Sequence, residues 1–405
     1  MKFRTPAVLF LLSTSCLLPP ATAASLPEDD RRPPVIYLDG TPYEIGHQHG
    51  TQLRAQVQHA VAHILGRFHD YLKVPVVNAW FVDWWLDHSW RQSMRWIPAD
   101  YLEELRGLAD GSGVSLQDLW RLHAIPDRTY ACSSLAVWGR ATAGGRLIHT
   151  RNLDWNIDVG IQDSAAIFVV RPQGRHAFVN IGWAGFIGVL TGVSDQQMSI
   201  GHVGAKTTDV TYAGVPMPFV MRQVMEQADD VDEAVRIVTE ARRTVGINYL
   251  IADAKARRAV VVETTRSRAA VFEANDPREQ MVTYARPIAD AVFRADTAVD
   301  PAVREHQLAS GGNPALPGLE PPTGSAYAVR YLGQSAGIAA HYGRITVETA
   351  KDIVRSVTPP SNVQSVIFAW PELWVANARG TTPAARTTYD KFDVETLFAR
   401  EPVHP

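Results

Sequence analysis

Cysteine is scarce in this chain: two residues in 405, Cys16 and Cys132. That excludes a disulfide-stapled scaffold, which carries several pairs in a short chain. Positive charge is not in excess either. Lys and Arg total 39 against 42 Asp and Glu, a net charge of −3, which removes the basic footprint of a nucleic-acid-binding protein. Beyond Leu18 no apolar run reaches the roughly 18 residues that a membrane span needs. His-Glu-x-x-His, the phosphate-binding P-loop and the Gly-x-Ser-x-Gly elbow are all missing. His47-Gln48-His49 has no carboxylate cluster beside it and reads as a solvated helix start, so neither metal nor cofactor is expected. What remains is 46% hydrophobic and 20% charged, ample for an ordinary globular core in one large or two modest domains.

The N-terminus has its own character. Lys2 and Arg4 precede an apolar stretch to Leu18, Pro19-Pro20 breaks it, and Ala21-Thr22-Ala23 offers small residues for cleavage. Residues 1–23 therefore read as a secretory signal peptide, and the protein is expected to be secreted or periplasmic. A lipoprotein anchor on Cys16 is the rival reading, disfavoured because Ser13 stands where a lipobox wants leucine. Loss of Lys2 and Arg4 takes the net charge from −3 to −5. It also leaves Cys132 as the single cysteine in an oxidising compartment. Such a thiol is either functional or a buried packing residue.

Residues 24–35 form a polar, proline-bearing lead-in. Apolar positions then recur at helical spacing from Tyr43 to about Leu72. Trp80, Trp84, Trp85, Trp90 and Trp96 crowd the next stretch, either as a packing face or as a substrate-lining surface. Another helix starts at Pro98 and ends at Asp110-Gly111-Ser112-Gly113, so 24–131 is expected to be mainly helical. After Cys132 short β-like runs follow at 133–139, 146–151, 165–171, 176–181, 187–191 and 197–203. Helices are expected at 216–227 and 231–243, strands at 247–252, 258–263 and 269–274, helices at 327–338 and 346–356, and strands at 363–369 and 372–377. Strand clusters separated by helix pairs point to layered α+β packing.

One segment carries chemistry. Cys132 opens an apolar run, and Arg151 and Asp154 close the next, 19 and 22 residues on, with Gly144-Gly145 between them. A hairpin turned at the glycines brings the three to neighbouring strand ends. A thiol nucleophile needs a base or a positive environment. His149 alternates with Arg151 and leaves a Cys–His pair open. The other base is the α-amine that Cys132 would own as a chain terminus, with an unperturbed pKa near neutrality. Asp154 would then orient the amine and Arg151 would stabilise the thiolate.

Cys132-Ser133-Ser134 followed by Arg151-Asn152-Leu153-Asp154-Trp155 resembles the N-terminal-nucleophile cysteine hydrolases. The likeness is to the C45 acyltransferase/hydrolase family and its acid ceramidase, N-acylethanolamine amidase and choloylglycine hydrolase relatives. Glu103–Gly113 resembles the helical propeptide, Gly182–Gly192 a strand after the hairpin, and Gly246–Asp253 with Val261-Val262-Glu263 a later strand pair. The resemblance implies a four-layer αββα sandwich with a helical pro-segment at 24–131, a catalytic domain at 132–405, and self-cleavage between Ala131 and Cys132. It further implies that the pro-segment stays with the catalytic chain. In the family a Thr-Asn pair supplies an oxyanion donor, yet this chain has Thr283-Tyr284 at the aligned place. Either the Tyr284 hydroxyl or the Asn248 amide substitutes, or the alignment is shifted there. Arg330 resembles a late arginine of the acyltransferase branch.

The expected activity is hydrolysis of a linear amide in an N-acylated small molecule through a Cys132 thioester. Aromatic content favours an apolar acyl or aryl group. Acyl transfer to an amine is the alternative, disfavoured by export, since acyl-CoA donors are cytoplasmic. A non-catalytic binding protein on the same fold is the other.

Overall fold

The computed structural model describes residues 32–71, 79–126, 131–282, 285–307, 326–378 and 383–400. The expected leader at 1–23, with Cys16, lies outside them. So does the Thr283-Tyr284 pair.

The described strands are β1 (Val35–Gly40), β2 (Ala131–Gly139), β3 (Gly145–Asp154), β4 (Ala165–Pro172), β5 (Phe178–Trp183), β6 (Thr191–Ser194) and β7 (Met198–Gly204). They continue as β8 (Ile247–Asp253), β9 (Arg258–Thr264), β10 (Ala269–Phe272), β11 (Ala291–Ala295), β12 (Asn362–Ala369), β13 (Glu372–Asn377) and β14 (Asp390–Asp393). Helices α1 (Pro42–Gln52), α2 (Arg54–Tyr71), α3 (Ala79–Met94), α4 (Ala99–Ser112) and α5 (Leu116–Ala124) precede the cysteine. Helices α6 (Met217–Gln227), α7 (Val231–Glu240), α8 (Pro301–Arg304), α9 (Ala326–His341), α10 (Val347–Ser356) and α11 (Val394–Ala399) follow it.

Two sheets form the centre. One runs β1-β4-β5-β6-β7-β8-β9-β10 and the other β11-β2-β3-β12-β13-β14. They stack where β2 and β3 pack on β7 and β8. Helices α6 and α7 cover the outer face of the larger sheet, and α9 and α10 that of the smaller. This is the expected four-layer αββα arrangement. Strands β5 to β8 are buried at every position, because both of their faces are covered.

The segment before Cys132 is not helical throughout. Strand β1 pairs in parallel with β4, Val35 opposite Ile167, and so adds an edge strand to the larger sheet. Its partner lies some 130 residues on, which no local pattern announces. The helices that follow share one core with the catalytic layers, where Val57, Leu86 and Leu119 join Ile187, Phe219 and Val224. Helix α1 is set by a Thr41/Glu44 capping box. It crosses α4 with the backbones in contact, since a side chain at Gly46 would overlap the Glu104 carbonyl. Of the tryptophans, Trp90 is buried in this core while Trp80 and Trp84 are exposed on α3.

Two further expectations change. The run at 187–191 is not a strand: β5 ends at Trp183, and β6 begins only at Thr191. Gly185 takes φ +87° between them, and the N–H groups of Gly185 and Ile187 bond to histidine side chains instead of a ladder. Strand β11 was not anticipated because Arg294 interrupts its apolar pattern. That arginine is buried between Glu263 (2.6 Å) and Glu279 (2.7 Å).

Candidate active site

Gly144 and Gly145, with φ of +83° and +75°, turn the hairpin between β2 and β3. The register sets Cys132 opposite Leu153, Ser134 opposite Arg151 and Ala131 opposite Asp154. Side chains alternate along a strand, so Cys132 and Arg151 share the face turned to the larger sheet, whereas Asp154 points to the helical layer behind. The hairpin brings all three to one place but on two faces.

On the inner face the thiol meets Arg151 and His202. Arg151 Nη2 donates to Cys132 Sγ at 3.3 Å, and His202 Nε2 lies 3.7 Å from the same sulfur. Nη2 is also 3.1 and 3.2 Å from the two ring nitrogens of His202. Since His202 Nδ1 faces the Leu190 carbonyl at 3.3 Å, the proton sits on Nδ1, and Nε2 presents a lone pair to the thiol. Burial and then Arg151 hold His202 well below its usual range, so it is neutral. Arg151 is fully buried, has no carboxylate within ion-pair distance among the described residues, and leaves Nε and Nη1 without partners. A buried cation needs a counter-charge, and a thiolate at Cys132 supplies one. In the uncut chain burial pushes the thiol up to about 12, with Arg151 pulling against it. The backbone N–H of Asp154 also bonds to the sulfur and favours the anion.

The backbone nitrogen of Cys132 belongs to a second network. Its N–H donates to Asp296 Oδ1 at 2.7 Å. Arg330 then bridges two carboxylates, with Nη1 3.0 Å from Asp296 Oδ2 and Nη2 2.5 Å from Asp154 Oδ2. Asn362 Nδ2 donates to the other oxygen of Asp154 at 2.9 Å. Asp154 therefore does not hold the cysteine nitrogen; it anchors Arg330, which anchors the residue that does. Burial raises both carboxylic acids, Asp296 to about 7, with Arg330 opposing the shift.

Asn248 Nδ2 donates to the Thr297 carbonyl at 3.0 Å, which uses one of the two amide hydrogens. Its neighbour in space is thus the segment that carries Asp296. His149 does not pair with Cys132 but lies between Ser134 Oγ (3.1 Å) and Ser199 Oγ (2.8 Å). Two site residues went unread in the sequence. Asp296 follows a strand that Arg294 disguised. His202 is a lone imidazole in the apolar run Ser199–Val203, which was the one available signal.

Residues 141–283 match the family model described as acyl-coenzyme A:6-aminopenicillanic acid acyl-transferase. The likeness to that family covers about a third of the chain. Protein dcd1B of Dictyostelium discoideum is 26% identical over 270 residues, 62% of this chain and 54% of that protein. The chain thus spans about half the length of that relative. The N-acylethanolamine-hydrolyzing acid amidase of Rattus norvegicus is 21% identical over 280 residues, 67% of this chain and 73% of the amidase. Among solved structures, the Caenorhabditis elegans ortholog of that amidase covers 65% of this chain and 99% of its own, at 16% identity and a TM-score of 0.43.

Among the described residues no group of His, Cys, Asp and Glu is arranged to hold a metal ion. The lining of an apolar cavity includes Leu190, whose carbonyl faces His202, and Trp155, which follows Asp154 in the chain. Ile64, Leu122 and Pro126 wall it from before Cys132; Trp155, Trp183 and Phe186 do so from after it. None of the tryptophans from Trp80 to Trp96 is among them. Its free volume is about 20 Å³, room for a water molecule and no more in the uncut chain.

Proposed function

We propose that the protein is a self-cleaving cysteine amidase that hydrolyses a linear amide of an N-acylated small molecule. The observation that carries this reading is the double hold on Cys132: its sulfur against a buried unpaired arginine, its nitrogen on Asp296. A thiol that only filled space would need neither.

Before cleavage that nitrogen is an amide and has no basicity, and His202 Nε2 is the acceptor facing the thiol. Loss of the proton to it lets Sγ attack the Ala131 carbonyl. The Ala131–Cys132 C–N bond breaks, the nitrogen leaves as an amine, and water hydrolyses the resulting thioester. The freed amine inherits the Asp296 contact. With an unperturbed pKa near 7.7–8.0, it is matched to take the thiol proton at neutral pH and return it to a leaving amine. Arg151 balances the thiolate, and the Asp154–Arg330–Asp296 chain fixes the amine. The substrate's acyl carbon forms a thioester with Sγ, releasing its amine, and water then yields the acid.

The aromatic cavity favours an apolar acyl group. The rat relative's name, an N-acylethanolamine-hydrolyzing acid amidase, is consistent with amide hydrolysis. The family model's name keeps acyl transfer as a second reading, in which an amine replaces water at the thioester. The Ala21-Thr22-Ala23 leader supports export. The β1–β4 pairing and the shared core support continued association of residues 24–131 after the cut.

Incubation of the purified protein followed by N-terminal sequencing tests the proposal. A new terminus at Cys132, lost in Cys132→Ala, is expected, with release of free amine from a panel of N-acyl amino acids and N-acylethanolamines. A wild-type chain that stays intact and inert across pH 4–9 rejects the enzyme and leaves a binding protein.

A further inference from the structure

Two histidines that take no part in the chemistry above are buried behind the loop that carries Phe186, and both come from the segment before the proposed cleavage site. His49 on α1 accepts the Gly185 N–H through Nε2 at 3.0 Å. His123 on α5 accepts the Ile187 N–H through Nε2 at 3.0 Å, while its Nδ1 donates to the Leu119 carbonyl at 2.7 Å. Each ring is 2% exposed. A ring nitrogen that accepts a backbone N–H is unprotonated, so both imidazoles are neutral. The two accepted N–H groups flank Phe186, whose ring lines the apolar cavity and stacks on His123 at 4.7 Å between centroids.

A third hold reinforces these. Arg222 Nη1 donates to the Ile187 carbonyl at 3.0 Å, and Arg222 is gripped by Glu104 of α4 at 2.6 and 2.8 Å. The loop from Ala184 to Leu190 thus has no strand partner at these positions. Its backbone is tied to groups set by α1, α4 and α5. Its far end, Leu190, supplies the carbonyl that orients His202 beside the thiol.

We propose that His49 and His123 are positioning residues that hold the 184–190 loop as the wall of the acyl-binding cavity, so that the severed pro-segment remains a working part of substrate recognition. This rests on the cavity being the acyl site. Removal of either acceptor leaves a buried N–H unsatisfied, and the loop then shifts to find water. Substrate affinity is affected first, because Phe186 moves with the loop while Cys132 stays on β2 and Asp296 just past the end of β11.

The test compares His49→Leu and His123→Leu with His49→Gln and His123→Gln, since a glutamine carbonyl can accept the same N–H. Hydrogen exchange at Gly185 and Ile187, measured in a Cys132→Ala background that cannot cut, is expected to accelerate at least about tenfold in the leucine variants and to recover with glutamine. In the self-cleaved forms, KM for an N-acyl amino acid with a linear medium-length chain is expected to rise about tenfold, with kcat within about threefold. Unchanged exchange in the leucine variants overturns the proposal, as does a glutamine variant as impaired as leucine, or a loss confined to kcat. If the wild type neither cuts nor hydrolyses, the proposed function fails, while the exchange experiment still decides whether the histidines hold the loop.

Discussion

The backbone N–H of Cys132 donates to Asp296 Oδ1 at 2.7 Å, joining two residues 164 positions apart. The contact crosses from β2 to the end of β11, where Ala295 pairs with Ser133 and the next residue reaches the cysteine. It gives the nitrogen that cleavage would free a carboxylate already in place.

Asp296 makes stability depend on pH. Its folded value, raised to about 7 by burial, lies above the ordinary aspartate value of 3.8. Between about pH 4 and 7 the folded protein keeps a proton that the unfolded chain has released, so this group makes stability fall as pH rises through that window. Asp296→Asn removes the effect. In thermal melts of the uncut Cys132→Ala protein, the Asn variant should gain relative to the parent at pH 8 and be nearly equal to it at pH 4.5. An equal difference at both pH values contradicts the assignment.

Arg330 neutralises two buried carboxylates at once. Arg330→Met strands both, and loss of one partner from a buried ion pair typically costs about 3–5 kcal/mol. Denaturant unfolding should show a loss of that order, with self-cleavage abolished. A loss below about 1 kcal/mol would mean that water reaches Asp154 and Asp296.

In the proposed mechanism His202 and the amine divide the proton transfers between two stages. His202→Leu is expected to slow self-cleavage about 100-fold, while the turnover number per cut chain changes less than about tenfold. Both quantities follow from one time course that counts new Cys132 termini and product. Equal losses in the two steps would make His202 the base throughout.

Gly201 on β7 is the floor beneath Arg151, where an added methyl would overlap the Arg151 side chain at Cγ. Gly201→Ala should displace the guanidinium from Sγ and lower kcat about 100-fold. The fold should survive at a cost of about 1–3 kcal/mol, as for other overpacked core positions. Wild-type activity in a folded Gly201→Ala protein would show that Arg151 need not touch the sulfur.

Much of the hairpin was legible because its information is local. A thiol, a Gly-Gly turn and an Arg-x-x-Asp at fixed spacing determine which residues meet across two adjacent strands. What spacing does not show is which face each side chain takes once the strand ends. Asp154 accordingly read as the amine's holder, although alternation sends it behind the sheet to Arg330 and Asn362.

The sequence by itself determined the candidate thiol, the order of helical and strand-rich regions, and the layered character of the part after Cys132, because these rest on residue chemistry and short periodicities. Only the tertiary structure decided that Asp296 and His202 stand beside Cys132 and that His49 and His123 hold the loop after β5. Their contacts run between stacked sheets and between distant stretches of the chain, and a buried charge or imidazole acquires its protonation state from partners that chain order does not reveal.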